Sequence, residues 1–119
     1  MSASRRLLSV FFLAAGTLHF LRPDVYERIV PRYLPARREL VLLSGAAEIA
    51  GAVAVANPRT SRAAGVWLAA VLAAVFPANV EMALHPERYA PIPPALLWAR
   101  LPLQPLLVVW ALRATRGES

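Results

Sequence analysis

Apolar residues in this chain fall into four long blocks rather than at amphipathic spacing. These blocks cover residues 7–21, 40–56, 63–84 and 94–112. A membrane-spanning helix needs about 20 mostly apolar residues, so the third block is long enough alone and the second and fourth are long enough with their flanks. The first block is short unless its helix begins near Ser4. The pattern predicts one integral membrane domain over residues 1–119, with helices at about 4–21, 37–56, 61–84 and 94–113.

The predicted fold class is all-α, a four-helix transmembrane bundle with short connections. Pro23 ends the first helix, because proline cannot donate a backbone hydrogen bond into a helix. Between the first two helices, four apolar residues recur at helical spacing among charged ones, which predicts a short amphipathic segment in the membrane interface. These four residues are Val25, Tyr26, Ile29 and Val30. Pro77 should kink the third helix, and Pro102 and Pro105 should bend the fourth.

Composition supports the membrane class and excludes some chemistry. The chain is 58% hydrophobic with a mean hydropathy of +0.50, whereas soluble domains are about 45–50% apolar. A buried soluble helical bundle is the alternative, but little polar surface would remain to keep it in solution. All 13 basic residues are arginine, and they flank the apolar blocks, which favours contact with the lipid bilayer and anionic head groups over nucleic acid. Without cysteine, thiol and disulfide chemistry is impossible.

The N-terminal segment resembles a signal peptide, with Arg5 and Arg6 before an apolar run. The apolar character continues to Leu21, so we favour an uncleaved first helix in a multi-pass protein of the bacterial inner (plasma) membrane. An even number of spans puts both termini on one side, with six arginines on each side of the membrane. The Arg5-Arg6 pair favours termini in the cytoplasm.

Glu48 is the most informative residue, since it lies inside an apolar block. A carboxylate there costs roughly 2.5–3.5 kcal/mol on insertion scales, so a partner, a proton or a ligand must offset it. At about 1.5 Å per residue, Glu48 lies roughly 15 Å from the side that holds the first and third connections. Other polar residues map to the same half of the bilayer: His19, Asn79, Glu81, Arg100 and Gln104.

These positions predict a polar pocket for a ligand or for protons. We expect Glu48 and Arg100 to pair inside the bundle and to share a network with other polar side chains. The pocket candidates are Glu48, Arg100, Gln104, Asn79 and His19, and the secondary candidates are Glu81, Ser44 and His85. No catalytic residue is assigned, and one His with one Glu and an Asn does not predict a metal site.

Each candidate also has a structural interpretation. Glu48 and Arg100 would form an ion pair that only sets helix register. Asn79 would satisfy a carbonyl freed by the kink at Pro77. Glu81 would face head groups or pair with Arg88. His19 and His85 would be interface residues.

Several motifs resemble the DoxX-like family of small bacterial integral membrane proteins. They are Gly16-Thr17-Leu18-His19-Phe20 with Arg22-Pro23, residues 44–51, Phe76-Pro77-Ala78-Asn79, Ala83-Leu84-His85-Pro86, and residues 100–104. Each motif alone is weak, and their order and spacing over nearly the whole chain carry the resemblance. It implies a four-helix membrane protein, and the family name derives from a subunit linked to thiosulfate:quinone oxidoreductase. No catalytic residue is carried over from the family.

The leading hypothesis is an accessory membrane subunit, more probable than an enzyme. Its pocket would hold a quinone-like or lipid-like ligand, or protons, in support of a membrane redox partner protein. Arg100 and Gln104 would donate to a carbonyl oxygen, and Glu48 or His19 would handle a proton. The alternatives are a structural or assembly subunit without a ligand, and a small proton-coupled transporter acting as a homo-oligomer.

Overall fold

A computed structural model describes residues 2–28, 30, 34–89 and 93–116. Within these residues the chain forms five α-helices, one short 3-10 helix and no strand, so the predicted all-α class is confirmed. In chain order the elements are α1 (Ala3–Leu21), α2 (Pro23–Glu27), α3 (Arg37–Ala56), α4 (Ser61–Leu84), the 3-10 helix (Pro86–Tyr89) and α5 (Pro94–Thr115). Ile29 of the predicted amphipathic segment lies outside the described residues.

Local chemistry accounts for the starts of three helices. The Ser2 side chain accepts a hydrogen bond from the Arg5 backbone N–H and so caps the first turn of α1. Proline stands in the first turn of α2 and of α5, where its missing N–H costs nothing. Pro77 lies inside α4, and Pro102 and Pro105 lie inside α5, without ending either helix.

Three of the described helices are long and apolar enough to cross a membrane. They are α3, α4 and α5, with mean hydropathies of 1.7, 1.9 and 1.5 over their most apolar windows. α1 is 19 residues long but carries Arg5, Arg6 and His19, and it is not among these three. Length and composition are therefore compatible with a membrane protein.

The four long helices pack as two pairs, α1 with α3 and α4 with α5, and the contact between α3 and α4 joins the pairs. All four contribute to one apolar core in the half of the molecule nearest the chain termini. Its members are Leu8, Phe12, Ala52, Val55, Ala64, Leu68, Leu72, Ala111 and Ala114. In the other half, Met82 and Leu97 form a small buried cluster, and Val41 and Ala83 are also buried. That half has less apolar packing and holds four of the buried polar side chains, His19, Glu48, Asn79 and Gln104.

Two glycines bring α1 and α3 into backbone contact. A Cβ added to Gly16 would lie 2.7 Å from the Gly45 carbonyl oxygen, and one added to Gly45 would lie 2.6 Å from the His19 Cβ. Any larger residue would therefore push the helices apart. This close approach sets the position of His19 against α3.

Candidate functional site

The buried polar site begins where α1 crosses α3. His19 lies one turn after Gly16 on α1, and Glu48 lies one turn after Gly45 on α3. Because α1 and α3 run antiparallel, the two side chains approach each other from opposite ends of the glycine contact. His19 Nε2 is 3.7 Å from Glu48 Oε2. The two residues are only 8% and 7% exposed. The structure therefore brings together two of the five predicted pocket residues.

Hydrogen bonding orients the imidazole but leaves the carboxylate incomplete. His19 Nδ1 lies 2.7 Å from the backbone carbonyl oxygen of Ala15. A carbonyl only accepts, so Nδ1 carries a hydrogen and Nε2 is the nitrogen that faces Glu48. Glu48 Oε1 is buried and has no hydrogen-bond partner among the described residues. An unpartnered buried carboxylate oxygen is costly, which makes this position a candidate for a bound proton or ligand.

Tyr26 of α2 is the third side chain of this site. Its ring stacks on the His19 ring, with centroids 4.0 Å apart and an angle of 19° between the planes. α2 is held in this position by an ion pair between Glu27 and Arg38 at 2.9 Å, which ties it to the start of α3. Burial raises the pKa of the Tyr26 phenol above its ordinary value; the Glu48 carboxylate raises that pKa further, and the Arg100 guanidinium lowers it.

Tyr26 was not among the predicted site residues. Its helical spacing with Val25 and Val30 indicated only an amphipathic segment. No signal in the sequence singled it out, because its contact with His19 depends on the turn between α1 and α2.

A cavity of about 540 Å³ opens beside this site, in the range of small-molecule pockets. Its walls are mostly apolar and come from α1 to α4 and the connection after α2, with no contribution from α5 in the described residues. Polar side chains enter it at His19, Tyr26 and Ser44. The apolar walls include Ala47, Ala74 and Pro77. The shape suits an apolar body with a small polar head.

Asn79 and Gln104 form a separate polar pair between α4 and α5. Asn79 Nδ2 donates to Gln104 Oε1 at 2.8 Å, and Gln104 Nε2 donates to the Leu72 carbonyl oxygen at 2.9 Å. Each residue is 7% exposed. Gln104, and not Asn79 as expected, is the side chain that bonds an α4 backbone carbonyl near Pro77. This pair holds α4 against α5 and lines no part of the cavity.

Arg100 does not join Glu48. Among the described residues the two form no ion pair; Arg100 Nη1 instead lies 3.5 Å from Met82 Sδ, and the side chain is exposed. The expected Glu48–Arg100 pair is therefore absent, because α5 packs on α4 rather than across from α3. The charge on the Arg100 guanidinium still lowers the pKa of Tyr26.

The secondary candidates have local partners. Glu81 Oε2 accepts from Arg88 Nη1 at 2.9 Å, which is one of the two arrangements expected for it. His85 lies 3.9 Å from Glu81 and 3.7 Å from Glu87. The Ser44 hydroxyl donates to the Val41 carbonyl oxygen at 3.3 Å and lines the cavity. No group of three side chains able to hold a metal ion occurs in the described part of the chain.

The described residues form an all-helical protein with three candidate membrane spans and a buried His–Glu pair beside an apolar cavity. The model of the family described as Domain of unknown function (DUF8561) matches residues 8–115, and the chain belongs to that family. The match spans both buried polar pairs and the cavity. A search of curated proteins and a search of solved structures each found no match.

Proposed function

We propose that this protein is a DoxX-like, multi-pass protein of the bacterial inner membrane whose cavity holds a quinone-like or lipid-like ligand in support of a membrane redox partner. In this proposal the four long helices form a transmembrane bundle, and both termini face the cytoplasm. The redox partner rests on the resemblance alone. The ligand site rests on the geometry described above.

The observation that carries the proposal is an apolar cavity with three polar side chains, His19, Tyr26 and Ser44, in its wall. An apolar tail is suited to the walls at Ala47 and Ala74, where it makes van der Waals contact and leaves no polar group unpaired. A carbonyl or hydroxyl head would meet the Tyr26 hydroxyl, which forms no hydrogen bond among the described residues. Because its pKa is raised, the phenol stays protonated and can donate to such a head.

This assignment differs from the roles expected from the sequence. Gln104 was expected to donate to the ligand, but its amide is already engaged by Asn79 and by the α4 backbone. In the revised assignment Tyr26 donates to the ligand, Ser44 offers a second hydroxyl at the wall, and His19 with Glu48 handles a proton.

The proposal that α1 is a fourth span draws support from its surface and its end. Large apolar side chains are exposed along it, with Leu7 at 62% and Val10 at 63%, which favours contact with lipid over water. Arg5 is 2% exposed, and its Nη2 donates to the Ala56 carbonyl oxygen at the C-terminus of α3, at 3.4 Å. A cation at that position is favoured by the helix dipole. The charge in α1 therefore has a partner at the edge of the proposed bilayer.

A matched pair of substitutions tests the cavity. Ala74 and its neighbour Ala73 are both exposed, but only Ala74 lines the cavity. Protein purified in detergent is examined by native mass spectrometry, and co-purifying small molecules are extracted and identified. We expect a stoichiometric quinone or lipid in the wild type and in Ala73→Phe, and its loss in Ala74→Phe. Equal occupancy in both variants, or no ligand in any, would overturn the proposal.

A structural role without a ligand is the second candidate, and one observation favours it. The His19–Glu48 contact joins α1 to α3, so it could serve only to set helix register. In that case replacement of both residues by apolar ones should retain function as well as folding. A transporter is less favoured, because a polar route would have to cross the apolar core shared by the four long helices.

A further inference from the structure

The His19–Glu48 contact constrains how many protons it can hold. Nδ1 of His19 donates to the Ala15 carbonyl oxygen, so the hydrogen on that nitrogen is committed. The remaining nitrogen, Nε2, faces Glu48 Oε2 at 3.7 Å. With no proton beyond the one on Nδ1, a nitrogen lone pair would face an anionic oxygen in a buried site. That arrangement is repulsive and leaves an uncompensated charge.

A second extra proton is also unfavourable. A neutral carboxyl group beside an imidazolium would leave a net positive charge in the same apolar surroundings. One extra proton gives a neutral pair, either as carboxyl and neutral imidazole or as carboxylate and imidazolium. We propose that His19 and Glu48 together bind one exchangeable proton and form a proton site beside the cavity.

The surrounding groups do not supply this charge balance. From α2, Tyr26 stacks on His19 and is neutral, while Glu27 is paired with Arg38. From α4, Glu81 is paired with Arg88. From α5, the Arg100 guanidinium lowers the pKa of Tyr26, but it makes no ion pair with Glu48 in the described structure. The pair therefore has to be balanced by its own proton.

The geometry keeps this proton exchangeable. The 3.7 Å separation exceeds the 2.7–3.2 Å typical of a direct hydrogen bond, so the pair is held apart rather than locked together. The contact between Gly16 and Gly45 sets the positions of the two helix backbones. Glu48 Oε1 has no partner and gives the proton a second place on the carboxylate. A proton held in this way is available to a ligand head group next to His19 and Tyr26.

This inference rests on the proposed function and deepens it by stating how many exchangeable protons His19 and Glu48 share at the same site. Its test needs no ligand, so the two can fail separately. If the proton count contradicts the proton site, the ligand occupancy of Ala74→Phe still tests the proposed cavity independently.

The test counts protons on both partners. The chain has two histidines, so His85→Gln leaves His19 as the one that nitrogen-15 labelling reports. Nuclear magnetic resonance at about pH 7 gives the protonation of each ring nitrogen. Infrared spectroscopy at the same pH shows whether Glu48 is a neutral carboxyl, by the loss of that band in Glu48→Gln. Glu81→Gln is the control, because its carboxylate pairs with Arg88 and should give no such band.

We expect one of two results, each with a hydrogen on Nδ1. Either Nε2 is unprotonated and a carboxyl band disappears in Glu48→Gln, or both nitrogens are protonated and no band disappears. A bare Nε2 with an ionised Glu48, or two protonated nitrogens with a neutral Glu48, would overturn the proposal. A neutral ring with its hydrogen on Nε2 would also overturn it. If Glu48→Gln does not fold, a shift of the band in His19→Gln assigns it instead.

Discussion

Two buried polar pairs occupy the same half of this molecule and differ in how completely they are bonded. Asn79 and Gln104 make one hydrogen bond to each other and one to the backbone, at 2.8 and 2.9 Å. His19 and Glu48 approach only to 3.7 Å, and one carboxylate oxygen has no partner. A bonded amide pair stabilises helix packing, whereas an ionisable pair left incomplete costs stability and is retained where it serves a ligand or a proton.

The location of the pairs strengthens the contrast. The cavity lies beside His19 and is lined by Tyr26, while α5 and its Gln104 stay outside it. The amide pair therefore belongs to the α4–α5 contact, and the His–Glu pair lies beside the proposed ligand site. Substitutions at the first should change stability, and substitutions at the second should change binding.

The largest expected effect on stability is at the amide pair. Gln104→Leu leaves Asn79 buried without its partner and removes the bond to Leu72, so we expect a loss of about 1–3 kcal/mol in the free energy of unfolding. The double variant Asn79→Leu with Gln104→Leu removes both polar groups and should recover part of that loss. Unfolding in detergent micelles, followed by circular dichroism, measures both. Equal losses in the single and double variants would contradict the assignment.

Gly45→Ala should produce the next largest effect, through the α1–α3 contact. The new Cβ would lie 2.6 Å from the His19 Cβ and 3.0 Å from the Gly16 carbonyl oxygen, so the helices must separate. We expect a loss of about 1 kcal/mol, at the low end of overpacking effects. We also expect loss of ligand, because His19 moves from Glu48. Ala46→Ser, at the exposed neighbouring position, is the control for an unrelated change in α3.

Glu48→Gln should change stability less than Gln104→Leu does. The glutamine amide can donate to His19 Nε2, so the fold keeps its contact while the site loses its exchangeable proton. The same unfolding measurement compares the two variants directly. A loss at Glu48→Gln as large as that at Gln104→Leu would indicate that both pairs are structural.

The smallest expected effect is a shift in the titration of Tyr26. Its pKa is raised in the folded state, so the folded protein keeps the phenol proton at pH values where the unfolded chain has lost it. Folding stability should therefore fall as the pH rises through the ordinary tyrosine value of about 10. Glu48→Gln should lower the Tyr26 pKa and Arg100→Gln should raise it, by the signs of their charges. Phenolate absorbance measures the shift, with Tyr26→Phe to assign it.

The apolar blocks predicted the helices well because each block is long and bounded by proline or polar residues. They could not predict which helices pack together, since the apolar residues of α4 and α5 are spread around each helix and leave no preferred side. The rise per residue predicted similar depths for Glu48, Asn79, Arg100 and Gln104, but it could not predict their positions around the axis of the bundle. The expected Glu48–Arg100 pair is absent because α5 packs on α4, and the described residues instead form the separate His19–Glu48 and Asn79–Gln104 pairs.

On α1 the sequence was more informative. Phe12, Gly16 and His19 recur at helical spacing in the sequence, and all three are buried together with Arg5 and Leu8. The burial of Arg5 extends the same spacing by two turns and could have been predicted from it. The position of Tyr26 over His19 could not, because it depends on the turn between α1 and α2.

The most direct test of the difference between the two pairs is ligand occupancy in one set of variants. Native mass spectrometry would compare the wild type, Glu48→Gln, and the double variant Asn79→Leu with Gln104→Leu, each purified in the same detergent. We expect a bound small molecule in the wild type and in the double variant, and we expect its loss in a folded Glu48→Gln. A ligand kept in Glu48→Gln and lost in the double variant would contradict this expectation, as would a wild type without any ligand.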